Sequence, residues 1–110
     1  MNDRDLMVKR NDVARYFRHS SKIHRNCIRV NVGNTLAHER RKFEMCWQLL
    51  KEGKEILTEA EFENPFKLRA DVVDLDAGVV YEIVCSENEG SVLRKKATYP
   101  LPIVVVVVPI

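Results

Sequence analysis

The spacing of apolar residues along this chain changes period several times, and each change predicts an element. Between Leu36 and Glu52 the apolar positions Leu36, Phe43, Trp47 and Leu50 are spaced 7, 4 and 3 apart, one face of a helix. Asn34 or Thr35 serves as its N-cap, Gly53 closes it, and Lys51 and Lys54 suit its negative end. Ile56 to Phe62 then alternates as a strand with Ile56, Thr58, Ala60 and Phe62 on one face, and Asn64-Pro65 breaks it. Leu68 to Leu75 and Val79 to Cys85 form a hairpin about Asp76-Ala77-Gly78, with glycine where a positive φ is needed. Glu87 to Tyr99 is polar around Val92 and Leu93 and reads as a short helix capped by Ser86 or Asn88 and ended by Pro100. Ile103 to Val108 is wholly β-branched, as in a strand buried on both faces. It is therefore expected at the centre of the sheet or under a second copy of the chain. The order is helix, strand, strand, strand, helix, strand. A helix between two strands favours a parallel crossover, so an α/β fold with a mixed central sheet is expected. Ahead of this core, Asp12 to Phe17 suggests a short helix with Val13 and Phe17 inward, and Cys27 to Val32 a short strand.

Composition narrows the class. With 110 residues, 45% apolar and 31% charged, the chain reads as one globular domain, a basic extension over 1–32 and a core over 34–108. Its only long apolar run, Pro102 to Ile110, is too short to span a bilayer, and no signal peptide is expected. Three separated cysteines, Cys27, Cys46 and Cys85, read as reduced thiols of a cytoplasmic protein. Residues 1–42 hold 11 Lys/Arg against 4 Asp/Glu, a balance of +7; residues 43–110 hold 7 against 12, a balance of −5. A basic head on an acidic body points to a polyanion such as DNA, with Arg15, Arg18, Lys22, Arg25, Arg29 and Arg40 as candidate phosphate contacts.

The candidate chemistry is acidic. Asp71 and Glu82 interrupt apolar stretches on either side of the turn. A two-residue turn would pair positions whose numbers sum to 155, making the two acids diagonal neighbours on one face. Alternation groups Asp71 with Arg69 and Val73, and Glu82 with Val80 and Val84. Two carboxylates on the buried side of a sheet repel and are costly to desolvate. A divalent cation between them removes that cost, and hard oxygen donors favour Mg²⁺ or Mn²⁺. Asp74 and Asp76, near the turn, read instead as exposed polar positions. Glu39 falls within the apolar stripe of the first core helix, pointing at the sheet; near a helix N-terminus it also complements the dipole. His38 beside it is a further candidate for proton transfer. His19-x4-His24-x2-Cys27 has metal-ligand residue types but no Cys-x2-Cys partner. A phosphate-binding glycine loop and a Gly-x-Ser-x-Gly elbow are both absent from the sequence.

Asp71, the step of eleven residues to Glu82 across a hairpin, and a preceding helix bearing Glu39 resemble the PD-(D/E)XK nuclease superfamily. This is the restriction-endonuclease-like fold also found in Holliday-junction resolvases and repair nucleases. The resemblance covers residues 34–108 and implies an α-β-β-β-α-β core. It further implies metal ligation by Asp71, Glu82 and the carbonyl of Ile83, and a helix acid at Glu39. The family lysine position is Val84, so Lys95 or Lys96 would take that role, and Tyr99 follows them in a Lys-x-x-x-Tyr-like pattern. The expected activity is Mg²⁺-dependent DNA endonuclease action on branched or repair DNA, by a homodimer that meets two strands. The alternatives are an inactive nuclease-fold protein, which Val84 favours, and a small basic DNA-binding module.

Overall fold

The computed structural model describes residues 2–63, 68–84 and 104–110. The expected second core helix, Lys95, Lys96, Tyr99 and Cys85 lie outside them. Two α-helices, α1 (Asp3–Ala14) and α2 (Leu36–Lys51), accompany four strands: β1 (Ile56–Glu61), β2 (Arg69–Asp74), β3 (Val79–Val84) and β4 (Val104–Pro109). The strands form one mixed sheet in the order β1-β2-β3-β4, antiparallel except for the parallel pair β3·β4. No helix among the described residues is long and apolar enough to cross a membrane.

Alternation along the strands builds two cores. Ile56, Val72, Ile83 and Val108 pack with Cys46 and Leu49 of α2 on one face. Leu57, Val73, Val80 and Val105 pack with Val13, Ala14 and Phe17 on the other. The basic N-terminal segment thus supplies a layer of the fold. Its helix is longer than the expected Asp12–Phe17 turn, because Asn2 caps it by accepting the N–H of Asp5 at 2.8 Å.

α2 starts where the caps place it, on Thr35, but it buries a different stripe. Leu36, Phe43 and Trp47 are 73%, 50% and 57% exposed, while Lys42, Cys46 and Leu49 are buried. Both stripes follow the 3–4 spacing of a helix. The buried one is stabilised by ion pairs to Lys42 that no hydrophobic count anticipates.

Residues 27–32 form no strand. Val30 and Val32 are exposed, and side chains take the bonds that a ladder would use. Asn26 Oδ1 accepts the Ile56 N–H at 3.0 Å, and the Thr58 hydroxyl accepts the Arg29 N–H and donates to Cys27 O. The expected single face of β1 is also broken. Ile56 belongs to the α2-side core, whereas Ala60 and Phe62 belong to the α1-side core. Glu59, with φ 47°, reverses the pleat between them. Ala70 and Val73, three apart on β2, accordingly share the α1-side core, and Asp71 between them meets α2 instead.

The hairpin register is also shifted. Val72 pairs with Tyr81 and Val73 with Val80, so partners sum to 153, which sets Asp71 level with Glu82. The two acids do not share the face expected of them, because Asp71 meets α2 while Glu82, between the α2-side Tyr81 and Ile83, turns to the α1 side with Val80. The loop has four residues because Asp74 builds it: its carboxylate accepts the N–H groups of Asp76 and Ala77 at 2.9 and 3.0 Å. Gly78, at φ 71°, closes the loop. Asp74 is therefore buried, and Asp76 accepts two bonds from Arg10 at 2.6 and 2.9 Å. Neither acid is the exposed turn residue expected from the sequence. β4 lies at the edge of the described sheet; Val105 is buried toward the α1 side and Val108 toward the α2 side, while Val104 and Val106 are exposed. It therefore reaches both cores but is not buried throughout, and it is not the central strand expected.

Candidate functional site

The first turn of α2 faces the reversed pleat, and a polar network joins them. The Thr35 hydroxyl accepts the His38 N–H at 3.1 Å, which orients that turn. Glu39 then takes four donors: Asn31 N–H at 2.6 Å, Lys42 Nζ at 2.6 Å, His38 Nδ1 at 2.8 Å and Asn34 Nδ2 at 3.1 Å. Lys42, 1% exposed, donates to Glu39, to Glu59 Oε1 at 3.0 Å and to Arg29 O at 2.6 Å. An ammonium has three donors, and all are used. His38 Nε2 stands 3.3 Å from Asp71 Oδ2, which also accepts the Ile83 N–H at 2.8 Å. One continuous chain of contacts, Lys42–Glu39–His38–Asp71–Ile83, therefore ties α2 to β2 and β3. A His38 ring that donates to both carboxylates carries a proton on each nitrogen; a ring with one proton serves one of them as donor.

Burial opposes the charge on Glu39. The bonds from Lys42, Asn31, His38 and Asn34 outweigh it and hold the carboxyl at about 2, well below its ordinary 4.5. Burial likewise opposes the Lys42 ammonium, but Glu39 and Glu59 raise its pKa above the ordinary lysine value. The Cys46 thiol beneath this network is pushed up to about 11 by burial, which suits a core thiol.

The structure thus brings Glu39 and Asp71 onto one imidazole. Glu82 is buried, but between Tyr81 and Ile83 of the α2 side it turns to the α1 side, so the structure does not bring it onto the face of Asp71. Val84, at the position of the family lysine, is a buried apolar residue. Among the described residues no group of three or more His, Cys, Asp and Glu side chains is arranged to hold a metal ion. The donor set that the resemblance implies, two carboxylates and the Ile83 carbonyl, has the hard oxygens that Mg²⁺ or Mn²⁺ takes, but its two carboxylates leave opposite faces of the sheet. Glu39, already saturated by four donors, fits a role toward His38 better than one toward an ion.

The basic candidates separate by environment. Arg15, Arg18, Lys22, Arg29 and Arg40 are exposed. Arg15 pairs with Asp12 at 3.1 Å, Arg18 lies 3.8 Å from Glu61, and Arg29 donates to His24 Nδ1 at 2.9 Å. The Arg25 side chain is buried. It donates to Ser20 O and Asn11 Oδ1, each at 3.0 Å, and sits 3.5 Å from Glu55, bracing the N-terminal segment. His19 and His24 meet edge to face at 5.7 Å, while the Cys27 thiol turns to the carbonyls of Ile23 and Arg25.

Sequence reasoning missed Lys42 and Glu59. Lys42 was detectable, three residues after an inward-pointing Glu39, a spacing at which helix side chains meet. Glu59 carried no signal, because its direction depends on a positive φ in mid-strand. Comparison with protein families, curated proteins and solved structures finds no match for this chain. What fold and site define together is a mixed α/β protein whose first sheet-facing helix delivers an acid and a histidine to an acidic hairpin.

Proposed function

We propose that this protein is a metal-dependent deoxyribonuclease of restriction-endonuclease-like type. One observation carries the reading: Glu39 of α2 and Asp71 of β2 meet on His38, at 2.8 and 3.3 Å. Asp71, Glu82 and the Ile83 carbonyl would hold Mg²⁺ or Mn²⁺, which supplies Lewis-acid polarisation of a phosphodiester and acidifies a bound water. Glu39 fixes the ring of His38, and the far nitrogen of that ring lies within reach of Asp71. A histidine so oriented is placed to hold or pass a proton beside the reacting phosphate. Lys95 or Lys96 stands in for the lysine that Val84 replaces. The exposed Arg15, Arg18, Lys22, Arg29 and Arg40 meet the DNA backbone, and a homodimer lets two sites address two strands.

Asp71→Asn and Glu82→Gln should each abolish Mg²⁺-dependent cleavage of plasmid and branched DNA while keeping the circular dichroism spectrum. His38→Ala should slow cleavage about 100-fold. Full activity in a folded Asp71→Asn protein would end this reading. A second reading, a nuclease-fold protein that binds nucleic acid without cutting it, is favoured by Val84, by the complete pairing of Glu39 and by the turn of Glu82 away from the Asp71 face. A Mg²⁺ titration followed by NMR separates the two: the first requires shifts at Asp71, Glu82 and Ile83.

A further inference from the structure

Beyond the acidic site, residues 18–32 and the outer edge of β1 enclose an open groove of about 360 Å³. Its walls carry Arg18, His19, His24, Arg29 and Arg69, against Glu59 and Glu61. Glu59 is engaged by Lys42, and Glu61 lies 3.8 Å from Arg18, one of the groove's own cations, so phosphate binding rests chiefly on Arg29. Arg29 and His24 are bonded at 2.9 Å, which holds the guanidinium beside the imidazole, and the rings of His19 and His24 meet edge to face. His19 takes a φ of 49°, unusual for a residue with a side chain; such backbone persists where surrounding structure holds it and clusters at ligand sites. The floor contains Leu57, Ala60 and Thr58. The groove therefore offers guanidinium donors for phosphate, imidazole faces for stacking, and an apolar base.

We infer that this groove binds an unpaired nucleotide segment, a single strand of nucleic acid. Its volume lies at the lower end of the range for small-ligand sites, and a lining of arginines with ring systems matches how single strands are held, by backbone charge and base stacking. A duplex keeps its bases paired and presents no free face to the two histidines. The groove adjoins the acidic site through shared residues. Arg29 lends its carbonyl to Lys42, Asn31 gives its N–H to Glu39, and Glu59 takes Lys42, while all three line the groove. The inference thus rests on the nucleic-acid substrate proposed above and narrows it to DNA with a single-stranded portion.

The test is fluorescence anisotropy of labelled oligo-dT, and of a duplex of equal length, in EDTA, where metal-dependent cleavage does not occur. The wild type should bind oligo-dT more tightly than duplex. Arg29→Ala and His24→Ala should each weaken oligo-dT binding about tenfold. Arg29→Ala should also flatten the salt slope by about 0.7 for one lost phosphate contact. Arg4→Ala, on α1 outside the groove, should change little. Unchanged affinity in both groove variants with native circular dichroism, an equal loss in Arg4→Ala, or tighter duplex binding would overturn the inference. Groove-dependent oligo-dT binding without any Mg²⁺-dependent cleavage would leave it standing and remove the nuclease reading instead.

Discussion

Replacing Lys42 with methionine should be among the most destabilising single changes outside the apolar core. Methionine keeps an unbranched stem as far as Cε, with sulfur for one methylene, and lacks the ammonium. The substitution leaves Glu39 Oε1, Glu59 Oε1 and Arg29 O facing an apolar group, where the ammonium had met them at 2.6, 3.0 and 2.6 Å. Removing one partner of a buried ion pair costs about 3–5 kcal/mol, a large share of the roughly 5–15 kcal/mol that holds a domain together. Thermal unfolding should fall by about 12–30 °C, and the urea midpoint should drop with no change in slope.

The pH dependence gives a sharper criterion. Glu39 has a folded pKa of about 2 against an ordinary 4.5, so its ionisation adds stability above pH 4.5 that is lost as pH falls toward 2. That shift corresponds to at most about 3 kcal/mol, and about 1–2 after solvent screening. Lys42 supplies the largest favourable part of it. Without Lys42 the Glu39 carboxyl protonates more readily, so the stability gap between wild type and Lys42→Met should narrow as pH falls from 6 to 3. Urea unfolding at several pH values measures this. A variant within about 1 kcal/mol of wild type at pH 7, or a gap that does not change with pH, would refute the argument.

Arg10→Ala should cost about 2 kcal/mol, because it removes the paired bonds to Asp76 and the bond to Gly53 O at 3.1 Å; chemical denaturation measures this directly. Gly78→Ala should destabilise by about 1 kcal/mol through its φ of 71°, since the added methyl meets Val13 Cγ2 only at an ordinary 3.5 Å; differential scanning calorimetry tests it. A Phe43→Ser, Trp47→Ser double variant should shift stability by less than about 1 kcal/mol, because both rings stack with each other on the exposed face of α2; a larger loss on calorimetry would place them in the core.

Local chemistry was legible in the sequence. The Thr35 cap, Gly53 and the glycine of the hairpin turn mark element ends through conformations that depend on one or two residues, and the structure places them there. The order of the first core helix and the strands followed from period, and the mixed sheet from the expected helical crossover, whose residues lie outside those described. Glu39 does face the sheet, but it was read inward from Leu36 and Phe43, which are exposed; it lies inward with Lys42, Cys46 and Leu49 instead. What one residue cannot encode is the choice among solutions that are locally equal. α2 carries two apolar stripes, and the sheet took the one containing Lys42 because Glu39, Glu59 and the Arg29 carbonyl were there to receive its charge. The hairpin admits loops of two or four residues, and the Asp74 carboxylate settled the longer one, setting Asp71 level with Glu82 but on the other face of the sheet. Glu59 looks like an ordinary strand residue, yet its left-handed backbone turns one acid toward Lys42 and another, Asp71, toward His38. Sequence set the periods and the caps, because those are properties of a few consecutive residues. Only tertiary structure decided which charges meet, because that depends on distances between segments that local propensity does not contain.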